Sequence, residues 1–337
     1  MRLFLAMETS PDCLRQLACI PGLELELPQS PCGTDYAIPE ELAGQIDVLL
    51  CEHAPRNLDR MGALKLLQLG STGYSQLFGL PLSERGIRVC NARGVFDVPI
   101  AEWAIAMMVN LQRDLRTMIR HQDAGVWDRS PRFQTELRGK TLGLFGYGSL
   151  ARETARLAKA MGMRIHAYSR RRDDYSQRNY YAVPGTGDPR CLLPDAFYLP
   201  GQEAEFFSQL DFLAVAMPLT KRTEGILTAD WLNLLPEGAF LLNFARGPLI
   251  PEQALLDALR SGHLGGAALD AHYAYPLPPD HPLWRFPNVI LTPHISGSSK
   301  STNFLPRIYD ICAQNIVRLQ NGTPLLNELS PSQLAGD

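Results

Sequence analysis

Apolar residues in this chain gather into short runs ended by glycine, proline or polar residues, with stretches of helical spacing between them. In the first hundred residues Leu3–Met7, Val48–Cys51, Leu66–Leu69 and Arg88–Cys90 read as strands of a smaller α/β unit. Short helices and a Pro-rich loop from Pro28 to Pro39 separate them. Pro99 suits the first turn of a helix that the spacing predicts to run to about His121, with Ile100, Trp103, Met107, Met108, Leu111 and Leu115 among its apolar positions. A polar loop, Ala124–Arg138, carries Trp127. The next strand is expected at Thr141–Phe145. A helix follows with Leu150, Thr154, Leu157, Ala158 and Met161 on one face, Gly162 stops it, and Arg164–Tyr168 begins another strand. Strands at Phe212–Ala216, Phe240–Asn243, Ala267–Leu269 and Val289–Thr292 alternate with helices at Ala229–Leu235 and Pro251–Ser261. This alternation implies a mostly parallel sheet covered on both faces. The tail Lys300–Leu319 has the pattern of a last helix.

Composition narrows the picture only a little. With 337 residues, 45% of them hydrophobic, and a net charge of −3, the chain has room for two cores and no bias toward nucleic acid. Its seven cysteines are scattered and form no CxxC pair, which points to reduced thiols and a cytoplasmic setting. No apolar run reaches membrane-spanning length, and the apolar opening is too short for a signal segment.

Between the strands at Thr141–Phe145 and Arg164–Tyr168 stands Gly146-Tyr147-Gly148-Ser149-Leu150-Ala151. Gly146 permits the tight turn, Gly148 lets the backbone approach a pyrophosphate, and Ala151 is small enough for helix to pack on strand. N–H groups near Ser149 and Leu150 then face the phosphates from a helix N-terminus. This is the pattern of a dinucleotide site. An NAD site usually places Asp or Glu after the second strand, but here Ser169 is followed by Arg170, Arg171 and Arg172. A hydroxyl and guanidinium groups bind a 2′-phosphate that a carboxylate would repel, so NADP(H) is expected to be preferred, with NAD(H) possible. The alternative is a solvated basic turn, offset by Asp173 and Asp174. The stretch Asp173–Gly201 shows no period; it either covers the adenosine end of the cofactor or is a surface insertion.

Three further phrases carry the chemistry: Pro218-Leu219-Thr220, Leu242-Asn243-Phe244-Ala245-Arg246-Gly247 and Leu291-Thr292-Pro293-His294-Ile295-Ser296-Gly297. With Ala268-Leu269-Asp270 and Glu102, their order and spacing resemble the D-isomer-specific 2-hydroxyacid dehydrogenases, nearest the glyoxylate/hydroxypyruvate reductases. The physical reading agrees with the resemblance. Arg246, at a strand end, offers a planar fork to a 2-oxo-acid carboxylate and carbonyl. His294 is the candidate acid for the developing alkoxide. Three histidines, His272, His281 and His294, lack the companions of a metal set, so no metal is expected.

The resemblance implies more. The fold would be α/β with two doubly wound domains, a Rossmann cofactor domain (99–298) inserted in a flavodoxin-like substrate domain (1–98 plus 299–337). The cleft would hinge near Val98 and Pro293. Backbone N–H groups of Thr72 and Gly73 would hold the substrate carboxylate. Pro218, Thr220, Phe244 and Ala245 would contact the cofactor, and Asp270 would meet the nicotinamide carboxamide. Trp127 would reach the active site of a neighbouring subunit, and the long apolar helix fits the contact of a homodimer. One departure stands out: where the family has the Glu that charges its histidine, this chain has Tyr275. The expected activity is hydride transfer between NADP(H) and a small 2-oxo or 2-hydroxy acid. Tyr275 keeps open a dinucleotide-sensing protein with little turnover, and Arg246 would also hold a phosphonate-type substrate.

Overall fold

The computed structural model describes residues 1–172 and 179–336; Asp173 and Asp174, expected to offset the basic run, lie outside them. The chain divides into two compact units, Met1–Phe96 with Arg178–Val183 and Ser299–Asp337, and Asp97–Gln177 with Pro184–Ser298.

In the first unit, strands β1 (Arg2–Ala6), β2 (Glu24–Glu26), β3 (Val48–Cys51), β4 (Leu66–Leu69) and β5 (Arg88–Cys90) form a parallel sheet in the order β2-β1-β3-β4-β5. The alternation of side chains along each strand builds two cores. Leu3, Leu5 and Leu50 pack on the helices Pro11–Ala18 and Phe304–Gln320, whereas Phe4, Leu49 and Leu67 pack on Ile38, Ile46 and Met61. Tyr181, from the stretch with no period in the sequence, is buried in the first of these cores. β2 escapes notice in the sequence because Glu-Leu-Glu carries only one apolar residue.

The second unit contains β6 (Thr141–Phe145), β7 (Arg164–Tyr168), β8 (Ala196–Tyr198), β9 (Phe212–Val215), β10 (Ala239–Asn243), β11 (Leu264–Leu269) and β12 (Val289–Leu291). They form a parallel sheet in the order β12-β11-β10-β9-β6-β7-β8. The winding reverses between β6 and β9, and a crevice at such a switch point is where doubly wound sheets bind ligands. Both units are therefore α/β and doubly wound.

The helix expected from Pro99 to His121 is two helices, Asp97–Gln112 and Leu115–Asp123. The first buries Ala101, Ala104, Met108 and Leu111, while the second buries nothing, so the stripe that would hold one straight helix ends at Leu111. Asp114 makes the break, with φ 46° and ψ 47°, a left-handed conformation that aspartate visits more readily than most residues. Ile119 is left exposed on the second helix.

Gly146 ties β6 to the switch point. Its φ is 101°, and a Cβ there would come 2.9 Å from the backbone of Ala216 and Met217. At Gly148 a Cβ meets nothing within 4 Å. Gly146→Ala is thus expected to lose about 1–3 kcal/mol of stability from strain and backbone clash. Gly148→Ala should melt within a degree or two of the parent; a scanning calorimetry trace of each variant checks the contrast.

Candidate active site

The candidate groups in the second unit lie in the loops that leave the C-terminal ends of its strands. Gly146–Leu150 follows β6, and the helix Ser149–Ala160 begins there. Ser169 follows β7, its N–H donating to the Tyr198 carbonyl at 3.1 Å, and Arg170, Arg171 and Arg172 are exposed beyond it. Arg172 turns back to donate to the Cys191 carbonyl at 3.0 Å. After β9, the Thr223 hydroxyl donates to the Pro218 carbonyl at 2.7 Å and accepts from the Thr220 N–H at 2.8 Å, which folds Pro218–Thr220 into a compact turn. Phe244 is buried in an edge-to-face contact with Trp103. Tyr147 is buried too.

Arg246 stands just beyond β10. The buried Asn243 holds this corner: its side chain accepts from the Ala245 N–H at 3.0 Å and donates to the Arg246 carbonyl at 3.0 Å. The Arg246 guanidinium is half-buried and donates to the Ala245 carbonyl at 2.7 Å, leaving the rest of its fork for a ligand. Gly247 must be glycine, because a Cβ would sit 2.6 Å from the carbonyl carbon of His272. That close approach brings the Arg246 corner against the loop after β11.

His294 is carried by the loop after β12, and Asp270, at the end of β11, organises that loop. The Asp270 carboxylate is buried and accepts from the Thr292 hydroxyl at 2.5 Å and the Ile295 and Ser296 N–H groups at 2.9 and 3.0 Å. The Ser296 hydroxyl is a fourth donor. Four donors fill the lone-pair capacity of a carboxylate. For Asp270 to meet a nicotinamide carboxamide, as the resemblance implies, one of them would have to yield. His294 itself has φ 58°, a conformation that costs a side chain about 1–2 kcal/mol and that these bonds hold in place.

The Tyr275 hydroxyl lies 2.9 Å from His294 Nδ1 and accepts the His272 N–H at 3.1 Å. One lone pair and one hydrogen remain on it, so it accepts Nδ1–H from an imidazolium and can donate to Nδ1 of the neutral ring. Nε2 is the nitrogen left for a substrate. The pKa of His294 falls below the usual 6.5, first through desolvation of the ring, although the residue as a whole is exposed, and then through the Arg246 guanidinium; Asp270 opposes the shift without cancelling it. Among the described residues that influence this ring, Asp270 is the carboxylate, in place of the Glu that the family pattern would put at Tyr275. His272 pairs its own Nε2 with the Thr292 carbonyl at 2.7 Å, and its buried Nδ1 has no hydrogen-bond partner among the described residues.

Thr72 and Gly73 belong to the first unit. The Ala92 N–H donates to the Ser71 carbonyl at 2.9 Å and the Asn91 side chain to the Thr72 carbonyl at 2.8 Å, so the peptides that carry the Thr72 and Gly73 N–H groups are fixed. Trp127 is 90% exposed on the second unit. Sequence reasoning missed Asp270 as the organiser of the His294 loop. The signal was an Asp at a strand end, read only through the family pattern.

Asp270→Asn turns an amide N–H toward the loop's donors and leaves at least one buried donor unpaired. A loss of about 1–3 kcal/mol in chemical denaturation is expected. Turnover should fall more than cofactor affinity, since the histidine loses its place; an unchanged rate in a folded variant contradicts this account of the loop.

Comparison with known proteins identifies the family. Residues 105–192 and 194–296 match the family model described as D-isomer specific 2-hydroxyacid dehydrogenase, NAD binding domain. A protein of Haemophilus influenzae named as a 2-hydroxyacid dehydrogenase is 35% identical over 72% of this chain and 74% of its own length. A glyoxylate reductase of Thermofilum pendens is 29% identical over 83% of this chain and 77% of its own. The solved structure of a D-isomer specific 2-hydroxyacid dehydrogenase from Xanthobacter autotrophicus, in complex with NADPH and MES, is 25% identical, with a TM-score of 0.76 over 99% of this chain and all of that one. The chain belongs to the D-isomer-specific 2-hydroxyacid dehydrogenases, oxidoreductases that work with a nicotinamide dinucleotide.

Proposed function

We propose that this protein is an NADPH-dependent reductase of a small 2-oxo acid of the glyoxylate or hydroxypyruvate size. The observation that carries the reading is the pairing of Arg246, held by Asn243 and Gly247, with His294, held by Asp270 and Tyr275. The glycine turn at the switch point, with open space at Gly148, fits a dinucleotide pyrophosphate. Ser169 and Arg170 in place of an acidic residue favour a 2′-phosphate, and the NADPH complex of the Xanthobacter relative supports this. The name of the Thermofilum relative supports the substrate class.

The bound cofactor supplies or takes the hydride. Arg246 binds the acid's carboxylate and polarises its carbonyl, as charge grows on the carbonyl oxygen. His294, as imidazolium, gives its Nε2 proton to that oxygen while Tyr275 accepts from Nδ1–H. In the reverse direction neutral His294 takes the hydroxyl proton at Nε2. Trp127 and the helix Asp97–Gln112 fit a two-fold dimer with an isologous contact; a monomer in sedimentation at micromolar concentration contradicts that assembly.

Three kinetic outcomes test the reading. NADPH should outperform NADH with glyoxylate or hydroxypyruvate, and Arg170→Ala should weaken NADPH by about tenfold or more, the worth of one charged hydrogen bond, with little change for NADH. Arg246→Ala should cut kcat/KM for the oxo acid by about 100-fold or more. Equal use of both cofactors, or a panel of 2-oxo acids without turnover, overturns it. The pH dependence follows from the depressed pKa of His294. Reduction needs the imidazolium, so its rate should decline as pH rises through a value below 6.5, whereas oxidation of the hydroxy acid should rise over the same window. Tyr275→Glu should move both limbs upward, and Tyr275→Phe should lower turnover.

A further inference from the structure

The stretch between β7 and β8 shows no period in the sequence, yet its second half is fastened to the glycine turn by side chains that are almost wholly buried. Asp188 is 6% exposed, Tyr147 4%, Arg152 2% and Glu153 1%. The Asp188 carboxylate accepts the Tyr147 hydroxyl at 2.8 Å and the N–H groups of Leu192 and Leu193 at 2.8 and 3.0 Å. Arg152 lies over the Tyr147 ring, 4.9 Å from its centroid. Its Nε donates to the Tyr147 carbonyl at 3.3 Å, and its Nη1 donates to the carbonyls of Asp188 and Pro189. Glu153 accepts the Gly187 N–H at 2.6 Å and pairs with Arg156.

Buried ions are costly, and an apolar cluster of the same volume would hold two segments together at least as well. A satisfied polar network does something different: it fixes one geometry. Here it fixes a particular peptide. The carbonyl of Tyr147 shares a planar trans peptide with the N–H of Gly148, and the two point in opposite directions. With Arg152 holding the carbonyl, the Gly148 N–H is aimed away from the buried network, on the glycine where an added Cβ would meet only open space. Burial and the Asp188 carboxylate push the Tyr147 pKa far up, so its hydroxyl remains the donor at any physiological pH.

We propose that Asp188 is a positioning residue for the dinucleotide: through Tyr147, and together with Arg152 and Glu153, it clamps residues 187–193 onto the Gly146–Gly148 turn and holds that turn in its phosphate-receiving form before the cofactor arrives. This rests on the reading of Gly146–Leu150 as the pyrophosphate site. Preorganisation of this kind acts on affinity, because the free protein has no ordering left to do when it binds. The clamp acts on the pyrophosphate turn, common to both dinucleotides; Ser169 and Arg170, on which the choice between them is read, make no hydrogen bond to it that the described residues show.

The test uses Tyr147→Phe, Asp188→Asn and the double variant, with dissociation constants for NADPH and NADH from nicotinamide fluorescence on the intact protein. Each single variant should weaken both dinucleotides by the same factor, about 5- to 20-fold, with the NADPH-to-NADH ratio and the KM for the oxo acid as in the parent. The double variant should be no worse than the singles, since the two residues share one bond. Tyr147→Phe keeps the ring and its edge contact with Phe197, so it reports even where Asp188→Asn does not fold. Affinities within about twofold of the parent, with only the melting temperature lowered, would overturn the proposal and leave the clamp a structural device. A shift in the NADPH-to-NADH ratio alone would also overturn it. A parent protein that binds neither dinucleotide would remove the pyrophosphate reading itself, and the proposal with it.

Discussion

The carboxylate of Asp270 accepts from four donors in the loop after β12, and the conformation of His294 depends on it. A histidine at φ 58° is strained, and left alone the residue would relax to the ordinary right-handed or extended regions. A buried carboxylate that met fewer donors would itself be poorly placed, so each requirement supports the other. The result is an imidazole placed by backbone and not by its own rotamer alone. On the neighbouring strand, Gly247 permits an equally close approach of the Arg246 corner to the His272 backbone. The guanidinium and the imidazole are therefore fixed to adjoining loops of one sheet.

Electrostatics follow from that placement. A guanidinium near an imidazole makes the charged ring less favourable, and desolvation of the ring acts in the same direction. A carboxylate hydrogen-bonded to Nδ1 would reverse the balance. Tyr275 occupies that place with a neutral hydroxyl, which orients the ring and accepts its N–H without contributing a charge. On the proposed reading, Arg246 holds the oxyanion strongly while His294 holds its proton loosely.

Much of this was legible in the sequence. The strands β3, β4, β5, β6 and β7 have the bounds that their apolar runs suggest, since both faces of a parallel sheet are buried and the runs are continuous. The glycine turn was legible because tight turns and close approaches demand glycine itself. Two things were hidden. The break at Asp114 lies within a run of helical spacing, and only the end of burial at Leu111 reveals it. Residues 187–193 have no period because their order comes from side chains on the preceding helix, Arg152 and Glu153, and from Tyr147. Polar networks between segments far apart in sequence leave no local pattern to read.

The central claim is that His294 is the acid and that its proton is loosely held, because desolvation and Arg246 outweigh Asp270 while Tyr275 adds no charge. The most direct measurement is an NMR titration of the His294 ring in the free protein, assigned by comparison with His294→Gln. The account predicts a midpoint below 6.5, moving upward in Arg246→Gln as the guanidinium is removed. A midpoint of 7 or above in the parent, unmoved by Arg246→Gln, would contradict it.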